Sequence, residues 1–227
     1  MEIIGYSERG AMNALFYGMA FNNDDDAMRN FLALAEIEDG YTNFRLYMEC
    51  SLSDFGSPDL VIIADRTDGK GSDVFFIEAK VSEGVYFDLY VHKSKHKEDK
   101  YDASNLFFQL RSKEYFFNHE CKGFEEERYK DNSFNIIKFK KGTTIDREIG
   151  ANVVVNKFVE IIKECNSAYY IAIIPKQTKE IDMDKEFGFP IRFVTWEEIL
   201  EKMNLYISKN INFNNKKGKN QILNNPK

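Results

Sequence analysis

The chain has 227 residues, 43% of them apolar and 15% aromatic, which suits one domain with a substantial core and argues against a disordered polypeptide. No run approaches the roughly 20 uninterrupted apolar residues of a membrane span, and the opening MEIIGYSERG lacks a basic-then-apolar secretory pattern. A formal charge of −6 excludes a general cationic coat for nucleic acid, though residues 206–227 hold five lysines and no acid, leaving −11 on residues 1–205. These features predict a cytoplasmic protein with no membrane partner.

In chain order, residues 7–21 read as a helix, with Met12, Leu15, Phe16 and Met19 at helical spacing, and residues 24–37 as a second helix behind an acidic first turn. Residues 44–50, 59–65 and 74–81 are short β-rich runs, the last two split by RTDGKGSD, whose glycines and aspartates suit a hairpin turn. The three make a meander. A helix over 103–117, a strand over 135–139 and a helix over 152–165 follow. Residues 169–174 are a buried strand stopped by Pro175, and 191–194 a short strand leading into a helix over 196–203. This order predicts an α/β fold: a mixed β-sheet with helices covering both faces. The domain spans residues 1–205, and 206–227, rich in Asn and Lys with little to bury, reads as a flexible basic tail.

The segment that carries chemistry runs from Ser57 to Lys80: SPDLVIIAD, a polar turn, then VFFIEAK. Glu78 and Lys80 are two apart on a strand and so point to one face. If Asp65 lies opposite Val74, Asp59 falls opposite Lys80, on that same face and diagonal to Glu78, but a one-residue slip undoes this, and Gly69 and Gly71, each able to host a bulge, leave the register open. Two carboxylates suit a hard divalent cation such as Mg²⁺, and a nearby lysine can orient or help deprotonate a water for phosphodiester hydrolysis. The plain alternative is a surface salt bridge between Glu78 and Lys80, or a strand end emerging into solvent. Lys80 is expected in a surface cleft, where its loss would leave the fold intact.

Pro58-Asp59 followed by Glu78-Ala79-Lys80, on two strands of a hairpin, resembles the PD-(D/E)xK nuclease superfamily. That resemblance implies a restriction-endonuclease-like fold and metal-dependent hydrolysis of DNA. Asp59 and Glu78 would bind Mg²⁺ or Mn²⁺ and Lys80 would assist the attacking water. Members often add an acid from the first helix, and Glu8, four residues before Met12 and seven before Leu15, lies on the apolar stripe. An acid favourably placed at a helix N-terminus explains Glu8 as well. One branch, resembling the recombination exonucleases, carries a glutamine and a tyrosine on the helix after the core strands. Gln109 and Tyr115, in QLRSKEY, match it and would touch substrate or brace Lys80, while packing also explains Tyr115. The closing IRFVTWEEIL is similar to the late strand and helix of many members. Some members have lost catalysis, so a nuclease-fold module that binds nucleic acid or protein is the alternative. Cutting both strands of a palindrome would call for a homodimer.

His92 and His96 have the spacing of a helical metal pair, but Lys93, Lys95 and Lys97 surround them, and a solvated basic loop is expected. Such a loop would serve phosphate contact, or as a mobile flap near Lys80, better than metal, and the basic run at 138–141 reads as a backbone-contact strand end or a solvated edge. Cys50, Cys121 and Cys165 are odd in number and widely spaced, which predicts reduced cysteines rather than a disulfide framework or a zinc site. There is no phosphate-binding P-loop, no G-x-G-x-x-G and no G-x-S-x-G.

Overall fold

Alternation of apolar side chains along three strands, Leu60–Arg66, Ser72–Ala79 and Ala168–Ile174, builds two cores, one on each face of a single sheet. The computed structural model describes residues 2–5, 8–21, 25–38, 40–80, 92–93, 101–102, 105–123, 149–174, 190–203 and 221–224. The chain opens with β1 (Glu2–Gly5), α1 (Glu8–Phe21), α2 (Asp25–Leu34), β2 (Tyr41–Met48), β3 (Leu60–Arg66) and β4 (Ser72–Ala79). Next come β5 (His92–Lys93), β6 (Tyr101–Asp102), α3 (Asn105–Tyr115) and a π-helical continuation of α3 over Phe116–Cys121. The order closes with α4 (Val153–Lys163), β7 (Ala168–Ile174), β8 (Ile191–Thr195), α5 (Trp196–Lys202) and β9 (Gln221–Asn224).

The five-stranded sheet has the order β2-β3-β4-β7-β8. The β2–β3 and β3–β4 pairs are antiparallel, and β4–β7 and β7–β8 are parallel. The expected meander is therefore present, extended by two parallel strands into a mixed sheet. Leu60, Ile62, Phe75, Ile77, Ile171 and Ile173 point to one face, where Met12, Leu15 and Phe16 of α1, Phe31 of α2 and Trp196 of α5 cover them. Val61, Ile63, Val74, Phe76, Tyr170 and Ala172 point to the other, beneath Leu106 and Leu110 of α3 and Phe158 and Ile162 of α4. Helices thus cover both faces, as the element order predicts. Among the described residues no helix is long and apolar enough to cross a membrane.

Local chemistry explains where two helices start. The Asn152 side chain accepts the backbone N–H groups of Val154 and Val155 at the head of α4. Thr195 and Glu198 form a reciprocal capping box that turns β8 directly into α5. The three cysteines are all free thiols.

Three expectations fare differently. Within 206–227, expected to be a flexible tail, β9 pairs antiparallel with β1, a strand that the sequence reading places in no element. The segment at 92–100, expected to be a basic loop, contributes His92 and Lys93 to a short antiparallel ribbon with β6, and its remainder lies outside the described residues. The strand expected over 135–139 and the basic run at 138–141 also lie outside them.

At the turn end of β4, Asp73 is fully buried and fully used. Its carboxylate accepts the Tyr41 hydroxyl at 2.7 Å, the Ser167 backbone N–H at 3.1 Å and an Arg66 guanidinium N–H at 3.3 Å. Burial, with hydrogen bonding to Tyr169 and Asp73, pushes the Tyr41 hydroxyl well above its ordinary pKa. This network ties β2, β3, β4 and the entry to β7 together. Asp73→Ala should lower unfolding stability by about 2–4 kcal/mol, because it orphans buried donors as well as removing a charge. Urea denaturation measures this, and a variant as stable as the wild type would show that the network carries no weight.

Candidate active site

The register of the β3–β4 hairpin decides which side chains meet. Leu60 lies opposite Ile77 and Asp65 opposite Ser72, and one further step along the ladder sets Asp59 against Glu78. The sequence leaves this register open, and the observed one differs by two residues from the arrangement with Asp65 opposite Val74 and Asp59 opposite Lys80. Gly69 and Gly71 are the cause: at φ of +73° and +98° they tighten the turn, so that Arg66 N–H donates to the Gly71 carbonyl at 2.8 Å. An even shift keeps every side chain on its expected face, so Asp59 and Glu78 still share one.

Asp59 sits just before β3 and is half-buried. Its Oδ2 accepts the Ala79 backbone N–H at 2.8 Å, which fixes the carboxylate to the end of β4. Glu78 is 0% exposed, and its Oε1 lies 2.9 Å from Nζ of Lys113, itself 1% exposed. Beyond that ion pair neither Glu78 oxygen has a hydrogen-bond partner among the described residues. Burial pushes the Glu78 carboxyl up to about 7, against the pull of Lys113 and Lys80 and with a further push from the Asp59 charge.

Lys80 follows β4 immediately and is only 5% exposed, so the expected surface-cleft lysine is a buried one. Its backbone is pinned on both sides: its N–H donates to the Ile173 carbonyl at 2.8 Å, and its carbonyl accepts the Trp196 indole N–H at 2.8 Å. Its ammonium donates to the Ala79 carbonyl at 2.8 Å. Loss of Lys80 would therefore remove packed hydrocarbon together with the charge.

The other expected site residues divide. Glu8 is the first residue of α1, and its side chain lies outside the described ones. The buried stripe of α1 covers the sheet face opposite to the one that Glu78 shares with Phe76. Gln109 lies one helical turn before Lys113 on α3, and its Oε1 is buried without a hydrogen-bond partner among the described residues. Tyr115 is 4% exposed and stacks on His119, with ring centroids 4.8 Å apart, and on Phe55 at 6.2 Å. The structure thus brings Asp59, Glu78 and Lys80 together, sets Gln109 one helical turn from the Lys113 that meets Glu78 and packs Tyr115 into the core.

Lys113 is the residue that the sequence reading passes over. Its signal was present: it falls seven residues after Leu106 and three after Leu110, on the buried stripe of α3, where a charge requires a partner. Among the described residues no three His, Cys, Asp or Glu side chains gather as a metal site, and the described acids that meet at this end of the hairpin are Asp59 and Glu78.

Comparison with protein-family models, characterised proteins and solved structures gives no match.

The raised Glu78 carboxyl has a pH signature. Its neutral form is favoured on folding, so the stability it contributes is fully present below its ordinary value of 4.5 and is lost as pH rises through about 7. The expected loss is about 3 kcal/mol. Urea denaturation of metal-free wild type and Glu78→Gln, across the window from about pH 4 to about pH 8, isolates this term. The wild type should fall relative to the variant over that window, and parallel pH curves would overturn the assignment.

Proposed function

We propose that this chain is a metal-dependent nuclease of restriction-endonuclease-like fold that hydrolyses phosphodiester bonds of DNA. The observation that carries the reading is the meeting of Asp59 and Glu78 on one face of an antiparallel pair, with Lys80 two residues beyond Glu78. The mixed sheet with helices on both faces is compatible with that fold. The donor set fits Mg²⁺ or Mn²⁺: two carboxylates offer hard oxygens, and those of Glu78 are buried with no donor beyond Lys113 among the described residues.

Asp59 and Glu78 are assigned to the cation, with Glu8 of α1 as the further acid that the resemblance suggests. When bound, the ion would lower the pKa of a water and offset charge developing on the phosphoryl oxygens. Lys80 is assigned to that water, which it would orient and help deprotonate. Gln109, with its buried unmatched oxygen, is the α3 residue assigned to substrate. The basic segments at 92–100 and 138–141 would supply contacts to the phosphate backbone.

A second reading, a non-cleaving nuclease-fold module that binds nucleic acid or protein, draws support from the donation of the Lys80 ammonium to the Ala79 carbonyl. Cleavage separates the two readings. Purified protein should cut DNA only with Mg²⁺ or Mn²⁺ present and lose all activity with a chelator, with linear and circular substrates telling end-dependent from internal cutting. Asp59→Ala should reduce cleavage to background. Lys80→Met, which keeps the buried stem, should slow it by about 10²- to 10⁴-fold with unchanged circular dichroism. Full activity in either variant, or none in the wild type, would sink the nuclease reading.

A further inference from the structure

Lys113 does something for the carboxylate it meets. Both partners are almost wholly withdrawn from solvent, and their 2.9 Å separation joins Nζ to Oε1 in particular. The ammonium also has little room to move. Gly56, at φ of +84°, lies so close that a Cβ there would sit 3.2 Å from Nζ. The loop that carries Gly56 is held against α3 by Phe55, whose ring packs at 5.3 Å from Phe116 and 6.2 Å from Tyr115. The glycine, the helix and the Glu78 carboxylate thus bound the ammonium on three sides.

Asp59 is tied in a parallel way, with Oδ2 held by the Ala79 N–H. Each carboxylate therefore has one oxygen held by the protein and, among the described residues, one left over, Oδ1 of Asp59 and Oε2 of Glu78. A small hard cation takes single oxygens from separate carboxylates and keeps waters in its remaining positions. Partners that hold the far side of a ligand set its orientation, and their loss typically costs 10- to 100-fold in metal affinity.

Resting on the nuclease reading, we infer that Lys113 is a positioning residue for the metal: by holding Oε1 of Glu78 it presents Oε2 as the ligand oxygen beside Asp59. The role is distinct from that of Lys80, whose ammonium bonds the Ala79 carbonyl rather than turning to Glu78 as a hydrogen-bond donor. Lys113 needs no contact with the reacting atoms to act in this way.

The test is calorimetric titration of Mn²⁺ into the metal-free full chain without DNA, for the wild type, Asp59→Ala, Lys113→Met and Lys113→Arg. Binding by the wild type that Asp59→Ala removes, weakened about 10- to 100-fold in Lys113→Met and largely recovered in Lys113→Arg, is the expected result. Circular dichroism checks folding, and if Lys113→Met does not fold, Lys113→Gln, which retains an N–H donor without the charge, takes its place and should also weaken binding. Asp59-dependent binding that folded Lys113→Met leaves unchanged would overturn the positioning role while the metal site stands. No binding by the wild type would overturn both.

Discussion

A carboxylate taken out of water loses far more solvation energy than one neutral hydrogen bond returns, so it either neutralises itself or keeps a cation beside it. Glu78 does some of each. Its carboxyl is raised to about 7 by burial, and Lys113 stands 2.9 Å away as its counter-charge. Almost everything else about this end of the sheet follows from satisfying that demand. α3 must lie close enough for a lysine to cross to β4, the loop before Asp59 must offer a glycine where the ammonium packs, and Phe55 must hold loop and helix together. An ion pair of this kind adds little net stability over an apolar pair of the same volume, so its presence is better explained by what the carboxylate can do than by what it holds together.

The two ends of β4 make an instructive contrast. Asp73 and Glu78 are both fully buried acids on one strand, with side chains on opposite faces. Asp73 is met by Tyr41, Arg66 and the Ser167 backbone, a set of donors that uses both of its oxygens. Glu78 meets one ammonium, and its second oxygen finds no partner among the described residues. A saturated acid is a structural element. An unsaturated one in the same sheet retains coordinating capacity, and that difference is what supports placing the proposed site at the Glu78 end of the strand.

Much of the fold was legible because its signals are local. The apolar runs of β3, β4 and β7, the breaker Pro175 and the acidic first turn of α2 each act over a few residues and predict elements found close to their expected bounds. The hairpin register was less legible. A glycine in the left-handed region can end a turn early or late, and the pattern RTDGKGSD does not say which of its two glycines rejoins the ladder. The face shared by Asp59 and Glu78 nevertheless survived, since side-chain alternation depends only on parity. Lys113 and the β1–β9 pair were missed for a common reason: each acts through a partner distant in sequence, Glu78 in one case and the opposite end of the chain in the other. The burial of Lys80 was missed because the Trp196 indole that closes over its carbonyl is equally remote.

The mixture of strand directions has a kinetic consequence. β2, β3 and β4 follow one another through short connections, so their antiparallel pairing closes small loops and can form early during synthesis. The parallel pairing of β4 with β7 must wait until Ala168 and beyond have emerged, and it closes a far longer loop at greater entropic cost. Until then the outer edge of β4 offers the run Val74, Phe75, Phe76 and Ile77 with unpaired backbone groups, the combination that recruits strands from other chains. Placing the Asp59–Glu78 cluster at the seam between the early and late halves of the sheet thus has a cost: the strand that carries the site is also the one most exposed to aggregation while the chain is incomplete.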